Sequence, residues 1–537
     1  LGNYLKEYLK NRRQGTPQGE PIPGMDQVPN SAGGYAFAVD AWVRLDRFLV
    51  LGSEGGSYYA SERKLTVENA AIVIQCIGID GVRVVQQIIG ISVAGRAPKQ
   101  DPAILALALC FAYGDEETRR VASDALPLVC RTGTHLLHFA AFVTALRGWG
   151  RGLRRAVGRW YTAPQAGDVA FQVAKYPSRD GWAHRDLLRL AHPVPPDEAH
   201  SLIFQWVTEG WPGVGPDPHP IPALQLIWAL EKARTAEKAE LLRLIADYRL
   251  PREAIPTQWL NDPDVWAALL PNLGLTAILR NLGNLSKCGL LIDSNRDAID
   301  AVAKQLTDAD ALKRARIHPL AVLTALITYK GGRGMRGGGV WPVSARVVDA
   351  LDTAFYKAFG AVQPSNTRTL LALDVSGSMG MGTVAGVIGL TPRIASAAMA
   401  LVTAATEPGH SIVGFSHDLV NLPISPRQRL DDVVRILQET PMGATDCALP
   451  MTWALEHRQP YDTFIVYTDS ETWFGNIHPV EALRAYREMM GIPARLIVVG
   501  MVANGFSIAD PNDGGMLDVV GFDTAAPQVI ADFARGR

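Results

Sequence analysis

The chain has 537 residues, of which 48% are hydrophobic, and its 52 Lys+Arg nearly balance 53 Asp+Glu for a net charge of −1. That length exceeds one hydrophobic core and implies roughly two to four domains, and the overall charge by itself does not point to a nucleic-acid binder. The five cysteines (76, 110, 130, 288, 447) are odd in number and form no C-x-x-C pair, which argues against zinc and a disulfide framework and suits a reducing, cytoplasmic setting.

The balance hides a division. Residues 1–350 carry 40 Lys+Arg and 34 Asp+Glu, whereas residues 351–537 carry 12 and 19. The front is basic and the back acidic, so different partners are expected for each. Residues 1–30 open as LGNYLKEYLKNRRQG, charged and without a signal-peptide core, and are expected to form an N-terminal extension. No apolar run approaches the ~20 residues a bilayer span needs, so no membrane partner is expected.

From residue 31 the pattern is helical. DAWVRLDRFLVLG (40–52), TVENAAIVIQCIG (66–78), VRVVQQIIGISVAG (82–95), DPAILALALCFAYG (101–114), ETRRVASDALPLVC (117–130) and THLLHFAAFVTALRG (134–148) repeat apolar residues at i, i+3, i+4, i+7 between Gly, Pro or Asp turns. Antiparallel helix pairs of about 35–45 residues predict an all-α solenoid of HEAT-like character, with a compact all-α domain as the alternative. SEGGSYY (53–59) reads as a turn between helices, since no His stands at a motif spacing to make Ser53 a nucleophile.

Residues 147–189 then carry nine basic side chains, Arg147, Arg151, Arg154, Arg155, Arg159, Lys175, Arg179, Arg185 and Arg189, against three acids, Asp168, Asp180 and Asp186. A one-sided basic stripe is the electrostatic footprint of phosphate binding, and a solvated helix face is the plain alternative. Lys175 and Arg179 stand four apart, which predicts a shared helix face. His192, before Pro193, reads as a helix-end residue. Trp149, Trp160, Tyr161, Tyr176 and Trp182 interleave, but aromatic residues on amphipathic helices more often belong to the core. A second basic run, 313–341, holds Lys313, Arg314, Arg316, Lys330, Arg333 and Arg336 with no acid. Its Gly-rich part GGRGMRGGG (331–339) reads equally as a phosphate-approaching backbone or a linker.

Beyond residue 365, TLLALD, HSIVGFS, DTFIVYTD and ARLIVVG are near-continuous apolar runs that predict buried parallel strands, alternating with helical RIASAAMALVTAA (393–405), DDVVRILQE (431–439) and PVEALRAYREMM (479–490). The first strand ends in Asp374-Val375-Ser376-Gly377-Ser378; Gly443-Ala444-Thr445-Asp446 follows, and TFIVYTD ends at Asp469. Asp374, Ser376, Ser378, Thr445 and Asp469 thus supply two carboxylates and three hydroxyls, the hard oxygen donors a divalent cation such as Mg²⁺ takes, at the strand ends where open α/β sheets gather ligands. Helix capping by the same Ser and Asp residues is the plain alternative.

Residues 365–537 resemble a von Willebrand factor A domain, and those five residues match its metal-ion-dependent adhesion site one by one. SAGGYAFAVDAWVRLDRFLVLGSEGGSYYASERKLTVENA (31–70), KYPSRDGWAHRDLLRLAHP (175–193) and WPVSARVVDALDTAFYKAF (341–359) resemble the TROVE module of the Ro autoantigen family. The resemblance spans nearly the whole chain. It implies that residues 31–360 form helical repeats closed into a ring, followed by the doubly wound α/β A-type domain. It implies a non-enzymatic, monomeric RNA-binding protein. Its hole would take single-stranded 3′ ends of misfolded RNA. Its outer basic surface would take small structured Y or Y-like RNA, with Lys175, Arg179 and His192 at family contact positions. A role in RNA quality control and stress survival, and an association with an exoribonuclease, are further implications. Two other classes stay open: a scaffold whose metal site binds an acidic partner, and a metal-dependent RNA hydrolase, against which the lack of an evident general base speaks.

Overall fold

The computed structural model describes residues 15–53, 62–211, 217–334, 339–360, 362–381, 383–384, 390–425, 428–441 and 443–536. The predicted turn at 53–59, apart from Ser53, and the candidate Arg336 lie outside the described residues.

Helices fill the chain from Ala41 to Ala358, and the expected pairing is present. In one row, Glu62–Ala94 packs on Asp101–Tyr113, which packs on Gly133–Leu146, then Ala166–Lys175, then Pro222–Ala233. In a second row, Glu116–Val129 stacks on Arg151–Thr162 and this on His184–Ala191. From Glu62–Ala94 to His184–Ala191 each helix therefore meets the one two places on, the arrangement of a two-layered solenoid. Glu62–Ala94 is broken at Asp80, whose φ of −157° and ψ of 88° leave the helical region, so its two halves match the two helices read from sequence. The stretch Lys64–Ala94 is long and apolar enough to cross a membrane by length and composition. Here it packs against three neighbouring helices, burying Val73, Cys76, Val84, Val85 and Ile88. The early and late helices also meet, as Arg316 Nε donates to the Val93 carbonyl at 2.6 Å.

Near the N-terminus, β1 (Gln27–Pro29) pairs with β2 (Tyr35–Ala38), and within the helical array β3 (Ser178–Arg179) pairs with β4 (Trp182–Ala183). The acidic half holds β5 (Thr369–Asp374), β6 (His410–Phe415), β7 (Leu419–Asn421), β8 (Thr463–Thr468), β9 (Arg495–Gly500), β10 (Phe506–Ser507) and β11 (Met516–Val520). Six of these form one sheet in the order β11-β9-β8-β5-β6-β7, parallel except for β7. The chain leaves β5 towards β6 and returns on the other side at β8, so β5 and β8 flank the topological switch point.

The two modules share a core. Leu371 and Leu373 of β5 join one apolar cluster with Leu279, Leu323 and Leu351 of the helical part, while Leu370 and Ala372 face a second cluster. That second cluster includes Ile22 and Phe37 from the N-terminal segment, and β10 pairs with β2, so residues 15–39 lie against the A-type domain. Three polar ties add to the seam. Arg47 pairs with Asp518, Arg96 with Asp523, and the His318 ring N–H donates to the Phe522 carbonyl at 2.6 Å.

Candidate metal centre and nucleic-acid interface

Four of the five candidate ligands, Asp374, Ser376, Ser378 and Asp469, lie at the ends of β5 and β8, and the loop of the fifth, Thr445, lies beside them. Asp374 ends β5, and its Oδ1 accepts the Ser376 N–H at 2.9 Å, folding the chain back at once. The Ser376 and Ser378 hydroxyls lie 3.1 Å apart, and the Ser378 hydroxyl favours the charged form of the Asp469 carboxyl. Thr468 Oγ1 donates to Asp374 Oδ2 at 2.6 Å from the end of β8. The loop bearing Thr445 is drawn in by Gly377 N–H to the Gly443 carbonyl (3.1 Å) and by Asp446 N–H to the Ser416 carbonyl (3.0 Å). All five side chains are buried. Burial first, with the neighbouring Asp374 and Glu471 charges after it, pushes the Asp469 carboxyl well above its usual range, and burial also raises that of Asp374.

Several contributors are not legible in the motif. Arg393, 5% exposed, sends Nη2 to the Val375 and Ser376 carbonyls and Nη1 to those of Leu437 and Thr440, clamping the turn from behind. Its charge also offsets part of the burial cost at Asp374, although the motif itself shows no positive side chain. Asp446 serves the scaffold: it accepts from Gln18 Nε2 at 2.6 Å and from Ala448 N–H at 3.0 Å. Glu471, which burial pushes up to about 7, accepts the Ser31 and Ala32 amides at 2.8 and 3.1 Å. The N-terminal segment therefore walls one side of the site. Ser470, directly after Asp469, holds a left-handed φ of 60°, and its buried Oγ finds no partner. Two carboxylates, a set of hydroxyls and an orphaned buried oxygen suit a hard divalent cation.

The basic stripe resolves into a groove of about 720 Å³ between Glu116–Val129, Arg151–Thr162 and the loop after His184–Ala191. Arg151–Thr162 buries Leu153, Ala156, Val157, Trp160 and Tyr161, which leaves Arg151, Arg154, Arg155 and Arg159 on the outer face. The groove is lined by Arg154, Arg155, Arg159 and His192, and by Arg119 and Arg120, which the stripe did not include. Arg151, Arg154 and Arg155 make no ion pair or hydrogen bond among the described residues, whereas Arg159 reaches Asp124 at 3.1 Å. His192 caps its helix with a left-handed φ of 45°, as the helix-end reading expects.

Other predicted positions lie elsewhere. Lys175 and Arg179 do not share a helix face: the helix ends at Lys175, ahead of Tyr176-Pro177, and Arg179 sits in the β3–β4 hairpin. Lys175 Nζ lies 5.1 Å from the Phe171 ring and 5.4 Å from the Tyr176 ring. Arg185 is exposed, Arg189 donates to the Thr208 carbonyl, and Arg147 to the Phe111 carbonyl. Trp160 and Tyr161 are core residues, and Trp149 and Trp182 pair at 5.7 Å. In the second basic run, Lys330 pairs with Asp431 of the A-type domain and Arg333 is exposed in a bridge to Val340.

The hairpin is a two-residue turn, Asp180-Gly181, with φ of 52° and 78°, which fits the type I′ geometry that Asp-Gly favours. Asp180 lies against His138 Nδ1, while His138 Nε2 is 3.1 Å from Asp101 Oδ1. Two carboxylates on both ring nitrogens require the doubly protonated ring. The Asp101 bond, and after it the Asp180 bond, raise the His138 pKa above the ordinary histidine value against burial. A raised folded-state value means that the clasp is fully stabilising below about pH 6.5 and is lost as pH rises through the folded value. Amide exchange across 178–183, corrected for intrinsic rate, should therefore be slower at acid pH than at alkaline pH. His138→Gln should erase that difference; an unchanged profile would mean the clasp is idle.

The comparisons agree with this architecture. A TROVE domain model matches residues 28–209 and 249–330, and a Ro60 vWA domain model matches residues 368–534. The chain is 47% identical over 513 residues to an RNA-binding protein RO60 of Deinococcus radiodurans, covering 95% of this chain and 96% of the relative. It is 35% identical over 594 residues to an RNA-binding protein RO60 of Caenorhabditis elegans, covering 95% and 90%. The crystal structure of the Deinococcus radiodurans RO (RSR) protein superposes with a TM-score of 0.70 at 47% identity, covering 93% of this chain and all of that one.

Proposed function

Since the chain belongs to the Ro family through both of its modules, we propose that it is an RNA-binding protein whose outer basic groove holds small structured RNA of the Y or Y-like kind. The observation that carries the reading is the groove itself: among the described residues five arginines and His192 converge on it, against Glu116 and Asp124. The names of the two relatives support it. Lys175 and Arg179 extend the contact beyond the groove. The contact between Arg316 and Val93 supports the closure of the array into a ring, whose hole would take single-stranded 3′ ends of misfolded RNA. On this reading the protein is a cytoplasmic monomer, not an enzyme, and works in RNA quality control and stress survival alongside an exoribonuclease.

Phosphate contacts by arginine release counterions, so log Kd for a structured RNA should rise with log salt at a slope of about 0.7–0.9 per contact. Filter binding from 50 to 300 mM salt reads this slope. A flat response removes the electrostatic basis of the proposal.

Asp374, Ser376, Ser378, Thr445 and Asp469 would hold Mg²⁺, which supplies charge neutralisation between two buried carboxylates and a position for an outside anion. Exposed Trp473 and Phe474, whose amides both donate to the Thr445 carbonyl, favour a second, compatible reading in which this rim receives an acidic partner. Added Mg²⁺ should raise the thermal midpoint of the wild type, more at pH 8 than at pH 5, where the raised carboxyls hold protons. Asp374→Asn should lose the Mg²⁺ response and keep binding to structured RNA. Incubation of wild type, Mg²⁺ and labelled RNA should leave the RNA intact on a gel; cleavage that disappears in Asp374→Asn promotes the hydrolase instead.

A further inference from the structure

A second cleft, about 520 Å³, lies apart from both sites, between the helices Leu275–Lys287 and Pro319–Lys330 and beside Pro98 and Lys99. The volume falls in the range of small-molecule sites, roughly 300–1,000 Å³. Its composition is uneven. Lys99, Arg280 and Arg316 line it, and no Asp or Glu does so among the described residues. Arg280 is exposed and makes no ion pair or hydrogen bond among the described residues. Arg316 uses Nε on the Val93 carbonyl. The walls between these cations are apolar, with Leu279, Leu282, Leu320 and Ala325, and carry hydroxyls of Thr276 and Thr328 and the amide of Asn284.

One end is built around an indole. Trp341 lies over Gly283, where an added Cβ would stand 2.8 Å from its ring carbons, so the helix has no room for a side chain there. Trp341 Nε1 donates to the Tyr329 carbonyl at 3.1 Å, and the two rings run nearly parallel, 18° apart with centroids at 6.5 Å. The ring is thereby fixed in place from two sides while remaining part of the cleft lining. A fixed aromatic, apolar walls, hydroxyl and amide donors, and the exposed Arg280 guanidinium beside Arg316 match one ligand chemistry: a flat base, a sugar and a phosphate.

We propose that this cleft binds one nucleoside-phosphate unit, with the phosphate towards Arg280 and Arg316 and the base among Leu279, Leu282 and Trp341. The unit is either a free nucleotide or one residue of a single RNA strand. Only the strand arm rests on the RNA-binding reading; the free-nucleotide arm stands without it.

The test uses the full chain, calorimetry with uridine and adenosine 5′-monophosphates, and a short single-stranded oligonucleotide carrying 4-thiouridine. Arg280→Glu, at an exposed position, should weaken whichever ligand binds by about tenfold, as expected for reversing one charge-assisted contact. Inorganic phosphate should compete, and the thiouridine should crosslink to peptides within 276–284 or 317–341. Trp341→Leu should weaken binding as well; if it fails to fold, Arg280→Glu decides alone. Nucleotide binding without oligonucleotide binding assigns the cleft to free nucleotides, and the reverse to a strand. Binding that Arg280→Glu leaves intact, crosslinks elsewhere, or no binding of either ligand overturns the proposal. A hairpin RNA without single-stranded ends should bind wild type and Arg280→Glu alike. If that hairpin binds neither, the RNA-groove reading fails, while the mononucleotide arm still judges the cleft.

Discussion

Arg154→Glu, Arg155→Glu and Arg159→Glu combined should abolish binding of structured RNA at physiological salt. Each lost charged hydrogen bond costs about 1.5–3 kcal/mol, so three contacts amount to about 4.5 kcal/mol or more before repulsion by the new carboxylates. The salt slope should fall by about 2–3 at the same time, because three phosphate contacts cease to release counterions. The fold should survive, since all three side chains are exposed and the helix keeps its buried face of Leu153, Ala156 and Val157. Lys175→Ala with Arg179→Ala should cost less, about 3 kcal/mol or more on the same scale, since two contacts go and no repulsion is added. Wild-type affinity in the folded triple variant would sink the groove as the RNA surface.

The groove also shows where the sequence stops being legible. The spacing of Arg151, Arg154, Arg155 and Arg159 is a helix face and reads directly as one. Arg119 and Arg120 join that face only because the solenoid stacks each helix on the one two places on, a packing relation without a local signal. Lys175 and Arg179 mislead in the opposite way: the four-residue spacing is helical, but Tyr176-Pro177 stops the helix and Asp180-Gly181 turns the chain, a signal that was present in the letters. In the acidic half, the buried strands β5, β6, β8 and β9 announce themselves as continuous apolar runs. The edge strands β7 and β11, three and five residues long and only partly buried, lack that contrast. The metal motif is legible because its ligands are strand-terminal and local. Its supports are not: Arg393 and the N-terminal segment arrive from elsewhere in the fold, and Glu471, though only two residues past Asp469, has its role only through the Ser31 and Ala32 amides that this segment brings.

Buried arginines are the hardest class, because in sequence they look like surface charge, and Arg47 is the case with the largest expected effect on stability. It is fully buried on the helix Ala41–Leu51. Its Nη2 meets both oxygens of Asp518 on β11 at 2.7 and 2.6 Å, and its Nη1 meets the carbonyls of Asn504 and Phe506 at 3.1 and 2.9 Å. Gly500 makes the approach possible, since an added Cβ there would stand 3.1 Å from Nη2. Arg47→Met keeps much of the volume but leaves a largely buried carboxylate and two carbonyls without their donor, which costs about 3–5 kcal/mol. The exposed pair Arg368–Asp462, bidentate but at the surface, should cost no more than about 1 kcal/mol when Arg368 is replaced. The double variant Arg47→Met, Asp518→Leu should regain much of the loss, because the penalty lies in the orphaned charge rather than in the pair. Urea unfolding of the three variants beside wild type separates these cases. If Arg47→Met unfolds at the same midpoint as the Arg368 variant, the first helix is not anchored to the sheet edge through this pair.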